Sequence, residues 1–251
     1  MNAQNSALTV GRDAVTTPLT LAPHDPKYRE ELAAINWLLE EVRRGQPLPV
    51  IEAEAVAHSM FMSARLAGKA EIQLLGLRAM SEYGAVHALN VATLSMALAE
   101  LLGYNPAAVR QIGLAGLLHD IGMVRIPVEI IAKSEKIGPA ERALVQTHPI
   151  EGARIIVEAD GSLELAAVTA YEHHLGIDGG GYPKLTYPRA AHRVSRLVQV
   201  CDAYHALSSP RPFRQPWPDE VIFSFLHQKS GSDFDGELVE GLGRVLKQPV
   251  T

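Results

Sequence analysis

Histidines and aspartates recur on the apolar faces of successive helical segments, and each such polar group needs a partner if it is buried. Around Glu82 to Leu102, His87 shares a helical face with Val91, Leu94, Leu98 and Leu101. Asn105-Pro106 opens the next helix with a cap residue and a first-turn proline, and Val109, Ile112 and Gly116 define its inner face. His119 and Asp120 project into the same arc. Pro139 opens a further helix that Pro149 interrupts, leaving His148 at the junction. Ser162 is placed to cap a helix whose stripe of Leu163, Ala167 and Ala170 ends in His173 and His174. A helix over about His192 to Leu207 turns Val194, Val198 and Cys201 inward and carries Asp202 and His205 near that face. A lone histidine on such a face is usually a hydrogen-bonded core residue. Five of them would each need a private partner, and one shared metal centre satisfies them together.

The rest of the chain narrows the class. It has 251 residues, is 47% hydrophobic and can bury a substantial core. Aromatics are only 6% and few segments alternate apolar with polar residues, so the fold class expected is all-α. Cys201 is the single cysteine, which excludes an internal disulfide framework and a cysteine-rich zinc site. A formal charge of −5 argues against general nucleic-acid binding, which needs clustered Lys and Arg. The cleanest apolar run, Ile112 to Leu118, is far shorter than the roughly 20 residues of a membrane span. No membrane span or secretion signal is visible, and a cytoplasmic location is expected.

Three regions are expected: a loose leader over 1–26, an N-terminal helical region over 27–76, and the histidine-bearing unit over 77–251. Helices are expected over Pro26 to Gly45, about Pro49 to Leu66 and roughly Ala70 to Met80. Trp37, Met60 and Met62 are read as core. The N-terminal region is read as a small helical domain or an extension packed on the rest. It is a candidate surface for a homodimer, and a regulatory protein partner is a separate candidate.

Imidazole and carboxylate without thiolate suit Fe, Mn or Zn. A carboxylate such as Asp120 can bridge two metals roughly 3.5–4 Å apart, and such a pair suits phosphoester hydrolysis. His87, then His119-Asp120 within LLHDIG, then Asp202, resembles the HD superfamily of metal-dependent phosphohydrolases. THPIEGA (Thr147 to Ala153) resembles that family's HP-x-x-G element. HHLGIDGGGYP (His173 to Pro183) resembles the HH-x-x-x-DG-x-GYP signature of the HD-GYP subfamily. CDAYHALSSPRPFR resembles the segment with the last aspartate, and SDFDGELVEGL the closing helix.

The resemblance implies an HD-domain helical bundle with an N-terminal helical extension. It implies a phosphodiesterase that hydrolyses the bacterial second messenger cyclic di-GMP, to a linear dinucleotide or on to GMP, through a dinuclear metal centre and metal-bound hydroxide. Carried over by position, the metal ligands are His87, His119, Asp120, His148, His173, His174 and Asp202, with His119 and Asp120 as the catalytic pair. Some members hold a third metal through a glutamate four residues before the first histidine. Tyr83 stands there, so two divalent ions, iron or manganese, are expected. Asp178, Gly181, Tyr182, Arg211 and Arg214 are the candidate substrate contacts. Tyr182 can stack on a guanine or simply pack, and the glycine run would let backbone approach the substrate.

Three positions depart from the family pattern. Met123 replaces the lysine of HD-x-G-K, Leu175-Gly176 replaces Glu-Arg after the double histidine, and His205 replaces the second aspartate of D-x-x-DAL. The first two remove phosphate-facing cations, each worth about 1.5–3 kcal/mol as a charge-assisted hydrogen bond. Arg125, Lys133, Arg211 and Arg214 are candidate replacements or solvated surface charges. Two other readings stay open: a degenerate module that binds metal and nucleotide or protein partners with little turnover, and an HD phosphohydrolase for another phosphate ester. His205 is read as a second support of a ligand or a satisfied core histidine. His24, His58, His192 and His227 have ordinary structural or surface readings, as does Cys201 beside Asp202.

Overall fold

A computed structural model describes residues 28–66, 74–77, 79–187, 189–211 and 214–247. The expected leader and residues 70–73 of the expected third helix lie outside them. The described chain is all-α: α1 (Arg29–Arg43), α2 (Val50–Leu66), α3 (Tyr83–Leu101), α4 (Pro106–Leu118), the short α5 (Val128–Ile131), α6 (Pro139–Val145), α7 (His148–Ala159), α8 (Glu164–Glu172), α9 (Arg193–Ser208), α10 (Asp219–Gln228) and α11 (Gly236–Lys247).

Helix α3 is the axis. Its residues are apolar nearly all round, as a helix enclosed by others must be, and Leu89, Val91, Leu94 and Leu98 are at most 1% exposed. It has the length and apolarity of a membrane span, but its surface is covered by α1, α4, α9 and α11. Helix α4 starts as its sequence predicts, with Asn105 accepting from the Ala108 amide at 2.9 Å and Pro106 in the first turn. Helices α10 and α11 close the bundle through Ile222, Leu226, Leu238 and Leu242. One core runs from Ile35 to Leu242, so the N-terminal helices share it.

Several sequence expectations are corrected. On α1 the buried stripe is Ile35, Leu38 and Val42, and Trp37 falls on the outer face at 48% exposure. Met60 is buried and Met62 is not. Residues 74–77 and 79 are not helical and lead into a 3₁₀ turn, Met80–Glu82. Leu75 explains part of this, because the Asn90 side chain takes both its N–H and its carbonyl. Helix α8 has Leu163 at its N-cap with no side-chain cap, and the Ser162 amide instead donates to Asp160.

Helix α4 stops at Leu118, and His119 caps its C-terminus before Asp120 enters a 3₁₀ turn, Ile121–Arg125. This turn packs against α7 through Gly122. A Cβ on Gly122 would lie 2.0 Å from the His148 carbonyl oxygen and 2.5 Å from the Gly152 nitrogen. Gly122→Ala should therefore force α7 away and cost about 1–3 kcal/mol, the usual range for overpacking. A lowered melting temperature in calorimetry checks this, and an unchanged one would contradict the contact.

Candidate metal centre

Three helix ends build most of the site in the same way. The last carbonyls of an α-helix lack intrahelical partners. His119, just past α4, donates from Nδ1 to Gly116 O at 2.7 Å. His148, three residues past the end of α6, donates from Nδ1 to Val145 O at 2.8 Å. His173, just past α8, donates from Nδ1 to Ala170 O at 2.9 Å. Each bond fixes the ring and leaves the Nε2 lone pair facing inward. Helix C-termini also carry partial negative charge, which favours a cation nearby.

These Nε2 atoms converge on Asp120. Its Oδ1 is 3.1 Å from His148 Nε2 and 3.5 Å from His173 Nε2. Its Oδ2 is 3.6 Å from His119 Nε2 and 3.7 Å from His87 Nε2. Asp202, from α9, brings Oδ1 to 3.1 Å from His87 Nε2 and 3.9 Å from His119 Nε2. Two groups result whose donor atoms lie within 4.8 Å of one another: Asp120, His148, His173 and His174, and His87, His119 and Asp202. All seven ligand candidates read from the sequence are thus brought together.

The donor set fits a metal. His119 Nε2 is fully buried and has no hydrogen-bond partner. An orphaned buried nitrogen is costly unless something occupies its lone pair. Burial lowers the pKa of His119 to about 4 and holds that of His174 well below the ordinary histidine value, so both are neutral donors. Against burial, the neighbouring His119 and His148 hold the Asp120 carboxyl well below the usual range. Asp202 is lowered likewise, against burial, by its contact with His87. His148 is the exception: burial opposes its charge, but Asp120 raises its pKa above the ordinary value. Cys201 takes no part, since burial pushes its thiol up to about 12.

The double-histidine loop is set by backbone approach. Gly181 has φ +78°, and a Cβ there would lie 2.0 Å from the His174 carbonyl oxygen. The close approach at this glycine is therefore to the protein's own chain. Tyr182 packs on His174 with ring centroids 4.6 Å apart. Asp178 closes the turn by accepting from the Gly180 amide at 2.7 Å. Glu172 carries no recognisable sequence signal. It is wholly buried beside His173 and accepts from Arg189, from the His192 amide at 2.7 Å and from Ser195 at 2.9 Å.

A cleft of about 560 Å³ opens beside the centre. His174, Asp202, Asp178 and Gly181 line it, together with Phe225, Asp233 and Phe234 from the C-terminal part of the chain. Among the described residues, no lysine or arginine lines it. Arg211 lies over the Tyr83 ring, 4.9 Å from its centroid. Arg214 donates to the Ala206 and Leu207 carbonyls and covers Trp217. Lys133 pairs with Glu141 at 2.8 Å, and Arg125 is exposed.

Residues 59–238 match the HD domain family. The chain belongs to that family. The HD family is metal-dependent, and both histidine–aspartate groups fall within the matched residues. The chain is 34% identical over 185 residues to a cyclic di-GMP phosphodiesterase of Pseudomonas aeruginosa, covering 74% of this chain and 45% of that protein. It is 30% identical over 171 residues to a 3'3'-cGAMP-specific phosphodiesterase of Vibrio cholerae, covering 68% and 39%. The chain thus spans less than half the length of these relatives. An HDGYP protein from Bdellovibrio bacteriovorus shares the fold, with TM-score 0.68 and 20% identity over 94% of this chain and 75% of that one.

Protons and metal compete for the same imidazoles. Because Asp120 raises the His148 pKa, a cation must displace a proton there as pH falls through the ordinary histidine range. Mn(II) affinity should drop from pH 8 to pH 6, as measured by calorimetric titration. Equal affinity at both would contradict His148 as a ligand.

Proposed function

We propose that the chain is a metal-dependent phosphodiesterase acting on a cyclic dinucleotide, cyclic di-GMP foremost. One observation carries the reading: Asp120 directs one carboxylate oxygen to each of two imidazole groups. In this reading Asp120, His148, His173 and His174 would hold one ion, and His87, His119 and Asp202, with Asp120 between the two groups, would hold the other. Iron or manganese suits the imidazole and carboxylate donors. When bound, such ions supply Lewis acidity toward a phosphoryl oxygen and make a water acidic enough to attack phosphorus.

The chain's own residues do the rest. The Nδ1 bonds of His119, His148 and His173 keep three rings from turning as charge develops. Phe225 and Phe234 give the cleft apolar wall suited to a nucleobase. The volume lies within the 300–1,000 Å³ usual for small-molecule sites. Similarity to relatives that act on cyclic di-GMP and on 3'3'-cGAMP supports the substrate class.

Metal-loaded protein should convert cyclic di-GMP to a linear product in a chromatographic assay, with 3'3'-cGAMP run beside it. His119→Ala and Asp120→Ala should each lower kcat by more than about a hundredfold, the upper range for losing a mere outer-shell partner. A variant that kept both its ions and its turnover would remove the site assignment.

The lining of the cleft favours one second reading, a module that binds nucleotide with little turnover. Met123 and Gly176 stand where cations are expected, and the lining carboxylates repel phosphate. Full occupancy by two ions without turnover on either substrate would select it. Met123→Lys should lower KM by about tenfold, the worth of one charge-assisted hydrogen bond. An unchanged KM would show that no phosphate lies near residue 123.

A further inference from the structure

His87 is supported differently from His119, His148 and His173. Its Nδ1 faces no carbonyl but the Nδ1 of His205, at 2.7 Å. The direction of that bond follows from residues further out. The Asn90 amide is fixed by one peptide unit: Oδ1 accepts the Leu75 N–H at 2.8 Å, and Nδ2 donates to the Leu75 carbonyl at 2.9 Å. A peptide N–H only donates and its carbonyl only accepts, so this amide has one orientation. Its second Nδ2 hydrogen points at His205 Nε2, 2.8 Å away. That nitrogen therefore accepts, and the ring hydrogen of His205 sits on Nδ1. His205 then donates to His87 Nδ1, and the hydrogen of His87 is left on Nε2, facing Asp202 Oδ1 at 3.1 Å.

A ligand needs a lone pair at that atom. For His87 to offer one, its hydrogen must move to Nδ1 and that of His205 to Nε2. Ser209 Oγ, 3.1 Å from His205 Nε2, can accept there. The Asn90 contact must then be given up, because two donors would face each other at 2.8 Å. No such change is needed at His148 or His173, whose Nδ1 atoms already donate to carbonyls.

We infer that His205, held by Asn90 and the Leu75 peptide, is a positioning residue that biases His87 against ligation, so that the chain fills the two halves of its centre unequally. The Asp120, His148, His173 and His174 half takes the first ion. The His87, His119 and Asp202 half takes the second more weakly, and filling it loosens Asn90. This rests on the metal centre proposed above.

The full chain, stripped with a chelator, can be titrated with Mn(II) in a calorimeter, and bound manganese counted after desalting. Two events are expected, the second weaker by about tenfold or more, the effect of one lost buried hydrogen bond. His205→Asp supplies a carboxylate that accepts the His87 Nδ1 hydrogen and should bring the second event within about threefold of the first, leaving the first unchanged. Asn90→Ala frees His205 Nε2 and should narrow the gap too, which covers a folding failure of His205→Asp. His87→Ala should keep the first event and lose the second. Two equal events in the parent chain would overturn the inference, as would a gap unmoved in both the His205 and Asn90 variants. No manganese uptake by the parent or any variant would instead remove the metal centre itself.

Discussion

The hydrogen bond from a histidine Nδ1 to the carbonyl three residues back is the contact on which the centre depends. It occurs at His119, His148 and His173, each just beyond the end of a helix. One bond does three things. It satisfies a carbonyl the helix leaves free, it chooses the tautomer, and it aims Nε2 at Asp120. Three helices that differ in length thus deliver the same chemical object to one point. The bundle then needs only to bring those ends together, which α7 against the 3₁₀ turn and α4 against α8 accomplish.

That convergence is held by close backbone contact as much as by apolar burial. Gly122 lets the turn after Asp120 lie directly on the His148 carbonyl, and Gly181 lets the loop fold back on the His174 carbonyl. Glu172 ties the other side of the loop to the start of α9 through His192 and Ser195. The electrostatics agree with the packing. Burial keeps His119 and His174 neutral, and the surrounding imidazoles keep Asp120 and Asp202 ionised. Neutral His119 and His174 beside two ionised carboxylates leave an unmet need for positive charge.

Much of this is legible along the chain because helical periodicity places polar residues on apolar faces. The stripes containing His87, His119, His173 and Asp202 follow from spacing alone, and the caps at Asn105 and Pro106 are local. What spacing does not carry is the outcome of competition between groups distant in sequence. Trp37 reads as core, yet Ile35, Leu38 and Val42 make a stripe that excludes it. A helix over 70–80 reads well by composition, but Asn90, 15 residues on, takes the Leu75 peptide. Ser162 has the chemistry of a cap, but its own amide is engaged by Asp160. Glu172 looks like any helix-terminal glutamate until Arg189, His192 and Ser195 fold over it.

The departures from the family pattern gain coherence when taken together in space. Met123 and Gly176 stand where the family pattern has cations, and among the described residues no lysine or arginine lines the cleft. Asp178, Asp202 and Asp233 line the cleft instead. Any phosphate that enters must then draw its counter-charge mainly from bound cations, since the lining itself is repulsive. Substrate binding in such a site is tied to how many ions are present, more tightly than in one with its own lysine and arginine. His205 acts on that number, because it decides whether His87 shows a lone pair or a hydrogen. A substitution one turn beyond Asp202 on α9 and the loss of cations near the cleft therefore press on the same quantity, the charge of the centre when substrate arrives.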